Sequence, residues 1–183
     1  GRGEAVTEGG GAGRGGVGGE GGAGGGRGRC DGGCEAGGES ERADVSVVNI
    51  FSKTGQRFAG TELGAALKAS GMEYGAMRIY HRMDETGDRL FSLVNGVEPG
   101  YFEPERFEVF STPGISMFLS LPGPVSPGTA LEELIATAQS LTRQLDGRLL
   151  DQDRNPLRPQ GIEHLRERVR EFERQQRIVS AKR

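Results

Sequence analysis

The clearest pattern in the chain is Ile115-Ser116-Met117-Phe118-Leu119-Ser120-Leu121, which alternates with period two. It predicts a strand with Ile115, Met117, Leu119 and Leu121 on one side and Ser116, Phe118 and Ser120 on the other. An aromatic ring thus stands among serines. Val45-Ser46-Val47-Val48-Asn49-Ile50-Phe51 is a β-branched run of strand length, with Val45 and Val47 opposite Val48. Met72 to Arg82 and Arg89 to Val97 read as two more strands. Between them Asp84-Glu85-Thr86-Gly87-Asp88 has the glycine and acids of a hairpin loop, so the pair should be antiparallel. In the second of these strands Phe91, Leu93 and Val97 oppose Ser92, Val94 and Gly96.

Helical spacing appears in three places. Thr61 to Ser70 sets Leu63 and Leu67 four apart, and Gly71 follows as a stop. Leu131, Leu134, Ile135, Ala138, Leu141 and Leu145 line one face of a second helix that Gly147 closes, and Thr129 and Glu132 have the spacing of a capping box. After Pro159, a third helix places Ile162, Leu165, Val169 and Phe172 on one face and arginines and glutamates on the other. Between these elements, Phe102, Phe107, Val109 and Phe110 supply apolar weight for a turn and a short strand, and Arg148 to Asp151 can form another. The order predicts an α+β fold, an antiparallel sheet with three helices on one face.

That arrangement leaves the second face of the sheet to account for. A solvated face should be polar, yet Phe118, Val94, Val45 and Val47 fall on it. Either a helix or the Pro-rich 98–114 stretch covers it, making Phe118 and Val94 core, or it is an exposed apolar patch for a peptide or protein partner.

Composition divides the chain. Residues 1–42 hold 20 of the 33 glycines and no Phe, Tyr, Trp, Leu or Ile, so they lack the apolar surface that offsets the entropy of ordering. They are expected to be a disordered Gly-rich linker, and 43–183 a single domain with all 8 Phe and all 3 Tyr. Glycine-loop matches in the tract carry no weight, because no strand precedes them. Its five arginines are outnumbered by seven acids. The formal net charge of −3 also argues against nucleic acid as a partner. No run approaches the roughly 18 apolar residues of a membrane span, so the chain reads as soluble and cytoplasmic.

Candidate chemistry is sparse. Cys30 and Cys34 offer two thiolates where a structural zinc site wants four ligands, and His81 and His164 lie far off. No metal or cofactor is expected. There is no G-x-S-x-G elbow and no cysteine in the domain. His81 lies near Arg82 and Asp84, with Ser92 or Ser116 as possible neighbours, and reads as a hydrogen-bonded strand anchor. The competing reading is a small α+β enzyme, or another peptide-binding module, using the same groove. Loss of His81 should abolish the activity of such an enzyme and be tolerated by a binding module.

Gly75-Ala76-Met77-Arg78-Ile79-Tyr80-His81-Arg82, Leu90-Phe91-Ser92-Leu93-Val94-Asn95, Pro99-Gly100-Tyr101-Phe102 and Phe110-Ser111-Thr112-Pro113-Gly114-Ile115 occur in an order and spacing that together are specific. Over about residues 44–177 the chain resembles the C-terminal domain of the bacterial cell division protein ZipA. The resemblance implies a split β-α-β fold with a shallow apolar groove on the helix-free face. In that family the groove binds the C-terminal tail of FtsZ, the tubulin-like GTPase that polymerises at the division site. Matched residue by residue, the groove falls on Val45, Met77, Ile79, Val94, Gly96 and Phe118. Gly96 departs from a family member with methionine there, removing one flexible apolar contact. The implied role is non-enzymatic. A monomeric domain tethers FtsZ filaments at the cytoplasmic face of the inner membrane, through a linker and an N-terminal membrane helix that this chain lacks.

If residues 1–42 supply none of the core, removing them leaves the thermal unfolding midpoint within a few degrees of the full chain. A larger drop contradicts the division at residue 42.

Overall fold

The computed structural model describes residues 43–182; the expectations for the tract 1–42, including Cys30 and Cys34, lie outside them. The described residues form eight strands and three α-helices. A six-stranded sheet contains β1 (Asp44–Phe51), β3 (Met72–Tyr74), β4 (Tyr80–Met83), β5 (Arg89–Asn95), β7 (Gly114–Leu121) and β8 (Arg148–Leu150). Its order is β3-β4-β5-β7-β1-β8, and every neighbouring pair is antiparallel. β2 (Phe58–Ala59) and β6 (Ser111–Thr112) form a separate two-stranded ribbon. The helices are α1 (Gly60–Ala69), α2 (Pro127–Gln144) and α3 (Pro159–Ala181).

The alternation in β7 does what its period dictates. Ile115, Met117, Leu119 and Leu121 are buried, while Ser116 and Phe118 are half-buried and Ser120 is exposed. Val48 and Ile50 of β1 and Phe91 and Leu93 of β5 join them in one core. α2 lies across β5, β7, β1 and β8 on that side, burying Leu131, Leu134, Ile135, Ala138 and Leu141. α3 packs on α2 through Ile162, Leu165 and Val169, and Arg166 grips the Glu132 carboxylate with two hydrogen bonds of 2.6 and 3.0 Å. The α+β class and the three helices on one face are as expected from the pattern.

Segment 98–114 also belongs to the helical side. Of the turn and short strand expected here, the turn is a 3-10 helix, Pro104–Arg106, the strand is the two-residue β6 just after it, and the aromatic residues around the turn converge. Phe102 meets Tyr80 edge-on at 5.4 Å and Phe107 at 6.1 Å, and Phe107 stacks on Phe110 at 5.5 Å. Phe107 presses on α1 at Gly60, where a Cβ would run into the Phe107 carbonyl and lie 3.0 Å from its Cα. Among the described residues, this leaves no helix on the side of Phe118 and Val94.

Two local expectations change. Met72 to Arg82 is not one strand but the hairpin β3–β4, joined by a strap in which Ala76–Arg78 make a 3-10 turn. The N-cap of α2 is Ser126, with Pro127 in the first turn and no side-chain cap bond; the capping box at Thr129 does not form, because a proline with fixed φ already starts the helix earlier. The hairpin loop after β4 is as read. Asp84 accepts from the Thr86 hydroxyl at 2.7 Å and from the Asp88 N–H at 2.9 Å, and these bonds hold its carboxyl below the usual carboxylate range.

Gly60→Ala tests the contact between α1 and the aromatic segment. The gain in helix propensity is small at a first-turn position, and overpacking against rigid backbone should dominate. Denaturant unfolding is expected to show a loss of about 1–3 kcal/mol; unchanged or raised stability means that the contact with Phe107 is loose.

Candidate functional site

The face of the sheet turned away from the helices carries the side chains of opposite parity. Strand register aligns them in rows. His81 of β4 lies opposite Ser92 of β5, Ser92 opposite Phe118 of β7, and Phe118 opposite Val47 of β1. The next row runs from Val94 to Ser116 to Asn49 to Leu150. Val45 lies opposite Ser120 at the end of β1. Phe118 therefore sits on the third of four strands in its row, half-buried between Ser92 and Val47.

Burial falls unevenly across the six residues expected here. Val45 is 42% exposed and Met77 68% exposed, whereas Val94 and Phe118 are half-buried. These four present apolar surface to solvent. Ile79, two residues before His81, is only 4% exposed, so it supports the face rather than presenting a side chain. Gly96 is half-buried, its N–H donating to the Gly114 carbonyl at 2.9 Å. A Cβ there would lie 2.9 Å from the backbone of Gly114. Glycine at 96 permits a close approach of two backbones. Val47, half-buried beside Phe118, was legible from strand parity but absent from the residues implied by family resemblance.

The floor is not uniformly apolar. Ser116 donates to the Asn49 side-chain oxygen at 2.6 Å, and the Asn49 amide donates to the Asp151 carbonyl at 2.7 Å. This chain ties the central strand to the turn after β8 and satisfies a side chain that is nearly fully buried. Closer to β4, a ring nitrogen of His81 pairs with the Ser92 hydroxyl at 2.8 Å. The pair resembles a nucleophile and its base, but Ser92 is 1% and His81 4% exposed. A hydroxyl so enclosed cannot reach a substrate.

One rim of the face is the strap between β3 and β4. Met77 and Arg78 both have positive φ, 61° and 60°, a backbone conformation that costs about 1–2 kcal/mol per residue for side chains other than glycine. Arg78 is held by Glu103 and lies over the Tyr101 ring at 3.9 Å. Among the described residues no group of three or more His, Cys, Asp or Glu could hold a metal ion, and no helix is long and apolar enough to cross a membrane. The face is shallow. Hollows of about 490, 480 and 540 Å³ open beside Tyr101, Phe172 and Phe51, and neither Phe118 nor Val94 lines any of them.

The sequence that builds this sheet has relatives among known proteins. The family described as "ZipA, C-terminal FtsZ-binding domain" matches residues 44–168. The cell division protein ZipA of Marinobacter nauticus is 46% identical over 144 residues, which are 77% of this chain and 43% of that protein. Those of Stutzerimonas stutzeri and Pseudomonas fluorescens strain SBW25 are each 40% identical, over 74% and 72% of this chain and 51% and 47% of their own lengths. The chain spans about half the length of these relatives, or less. With a match over most of the chain that contains every strand of the sheet, this protein belongs to the ZipA family through its C-terminal domain.

Proposed function

We propose that this domain binds the C-terminal tail of FtsZ on the helix-free face of its sheet. Val45, Met77, Val94 and Phe118 form the apolar contact surface, Ile79 supports it from beneath, and Gly96 contributes backbone at one edge. The observation that carries this reading is Phe118, an aromatic side chain half-buried on an interior strand, on the face away from the helices of the described residues. An uncovered apolar patch on a small domain is a partner surface by default. Aromatic residues near the centre of such patches commonly dominate binding.

The role follows from this physics without catalysis. A shallow apolar groove gives modest affinity for one peptide. Many tails displayed along one filament, with the domain held near a membrane by a flexible linker, multiply it through effective concentration. In the full-length protein the domain would tether FtsZ filaments to the cytoplasmic face of the inner membrane. It would act as a monomer, because the tail and not a second copy occupies the face.

Phe118→Ala separates binding from folding. Titration with the FtsZ tail peptide is expected to show a loss of about thirtyfold, which corresponds to about 2 kcal/mol. Denaturant unfolding should show a loss well below the about 3–5 kcal/mol of a core phenylalanine. Unchanged binding removes Phe118 from the site, and a core-sized stability loss removes it from the surface.

Ionic strength gives an independent check, since Val45, Met77, Val94 and Phe118 carry no charge. Salt screens exposed charges with a Debye length of about 10 Å at 0.1 M, so tail affinity should change by less than about threefold between low and moderate salt. A tenfold fall would mean that charge pairs carry the interaction.

A further inference from the structure

Met77 stands farther out of the structure than any other residue of the proposed surface, on a strap whose backbone is unfavourable by itself. We propose that His81 is a positioning residue for this surface: it fixes the strap Gly75–Ile79 to the sheet floor and so sets where Met77 meets a bound peptide. The inference rests on the open face being the tail-binding surface.

The hydrogen bonds define the arrangement. One ring nitrogen of His81, Nε2, lies 3.1 Å from the Ala76 carbonyl. A carbonyl only accepts, so Nε2 carries the proton. In the neutral ring Nδ1 then accepts from the Ser92 hydroxyl at 2.8 Å. Both nitrogens are engaged, one upward to the strap and one sideways to the floor. Ser92 is in turn the direct cross-strand neighbour of Phe118. A short chain of contacts therefore joins the residue before Met77 to the strand residue beside Phe118.

Steric fit points the same way. A Cβ at Gly75 would lie 3.2 Å from His81 Cδ2, so strap and ring are packed closely enough that a side chain at 75 would force them apart. The remaining restraints on the strap come from its own backbone and from segment 98–114. Gly75 N–H donates to Ile79 O at 3.0 Å, Arg78 N–H to Gly75 O at 3.2 Å and Phe102 N–H to Arg78 O at 2.9 Å. These close the turn and anchor its far end. The bond from His81 is the one from the sheet floor that reaches the residue adjoining Met77. Its removal leaves the turn formed but free to pivot, and an apolar anchor that pivots loses affinity to the entropy of being held. His81 is thereby a supporting residue that a binding module needs, contrary to the expectation that such a module tolerates its loss.

The test is a double-mutant cycle on the full chain, titrated with the FtsZ tail peptide, using His81→Phe, Met77→Ala and both together. His81→Phe should weaken binding about fivefold, a loss of about 1 kcal/mol. In the Met77→Ala background the same change should cost less than about twofold, because its effect passes through Met77. His81→Gln keeps a donor near the position of Nε2 and should recover most of the loss, a rescue that a purely space-filling role for the ring would not give. If His81→Phe fails to fold, Ser92→Ala, which keeps the ring and removes its floor partner, takes its place in the cycle with the same expected coupling. Multiplying effects in the double variant, or wild-type affinity in the single one, overturn the proposal while leaving the binding surface intact. A wild-type chain that does not bind the peptide overturns the surface and this inference together.

Discussion

Aromatic packing on one side of the sheet decides what the other side can do. Tyr80 points toward the helices, Phe102 and Phe107 pack on its ring at 5.4 and 6.5 Å, and Phe110 packs on those two at 6.1 and 5.5 Å. In doing so they draw the long connection between β5 and β7 to the helical side, against α1. That connection is the one non-helical stretch of the described residues long enough to have covered Phe118. With it committed to the core, and α1, α2 and α3 on the same side, the opposite face has no helix of the described residues over it. Parity along Tyr80 and His81 makes the division sharp. Consecutive residues of β4 serve opposite faces, one anchoring the aromatic cluster and the other supporting the floor of the open side.

Exposed apolar surface is tolerable here because the face is built from short or branched side chains around one ring. Ser116, Ser120 and Asn49 interrupt it, and the Ser116–Asn49–Asp151 chain ties its polar atoms down. The result is a surface stiff enough to be preformed and apolar enough to gain from burial. Its rims are local structures of different origin. The strap at 75–79 stores unfavourable backbone geometry at Met77 and Arg78, while the turn at 151–155 is organised by the Asp151 carboxylate accepting from the Asp153 and Asn155 N–H groups at 2.9 Å. The sheet supplies the floor and loops supply the edges, as is usual for recognition surfaces.

Much of this was legible in the sequence, for reasons that can be named. Period-two alternation reports which side of a strand is buried, and at 115–121 it singled out Phe118 without further help. The apolar stripes of α2 and α3 are long enough to be unambiguous. What sequence did not reveal is geometry without a residue signature. Met77 and Arg78 adopt left-handed backbone that neither residue type advertises, so the strap was read as continuous strand. Ile79 follows the strand pattern whether its side chain ends at the surface or under it. At Gly96 the sequence reports only the side chain it lacks, and the Gly114 backbone pressed against it is visible only in the fold. Phe102, Phe107 and Phe110 have strand-like composition, and only tertiary packing turns them into a cluster.

The central claim is that the FtsZ tail occupies the helix-free face, and mapping backbone amide shifts on addition of the tail peptide tests it most directly. The account predicts that the largest changes fall on residues 45–49, 75–79, 92–96 and 116–120, with α1, α2 and α3 little affected. Changes concentrated on the helices, or on the hollow beside Tyr101 and Phe110, would contradict it.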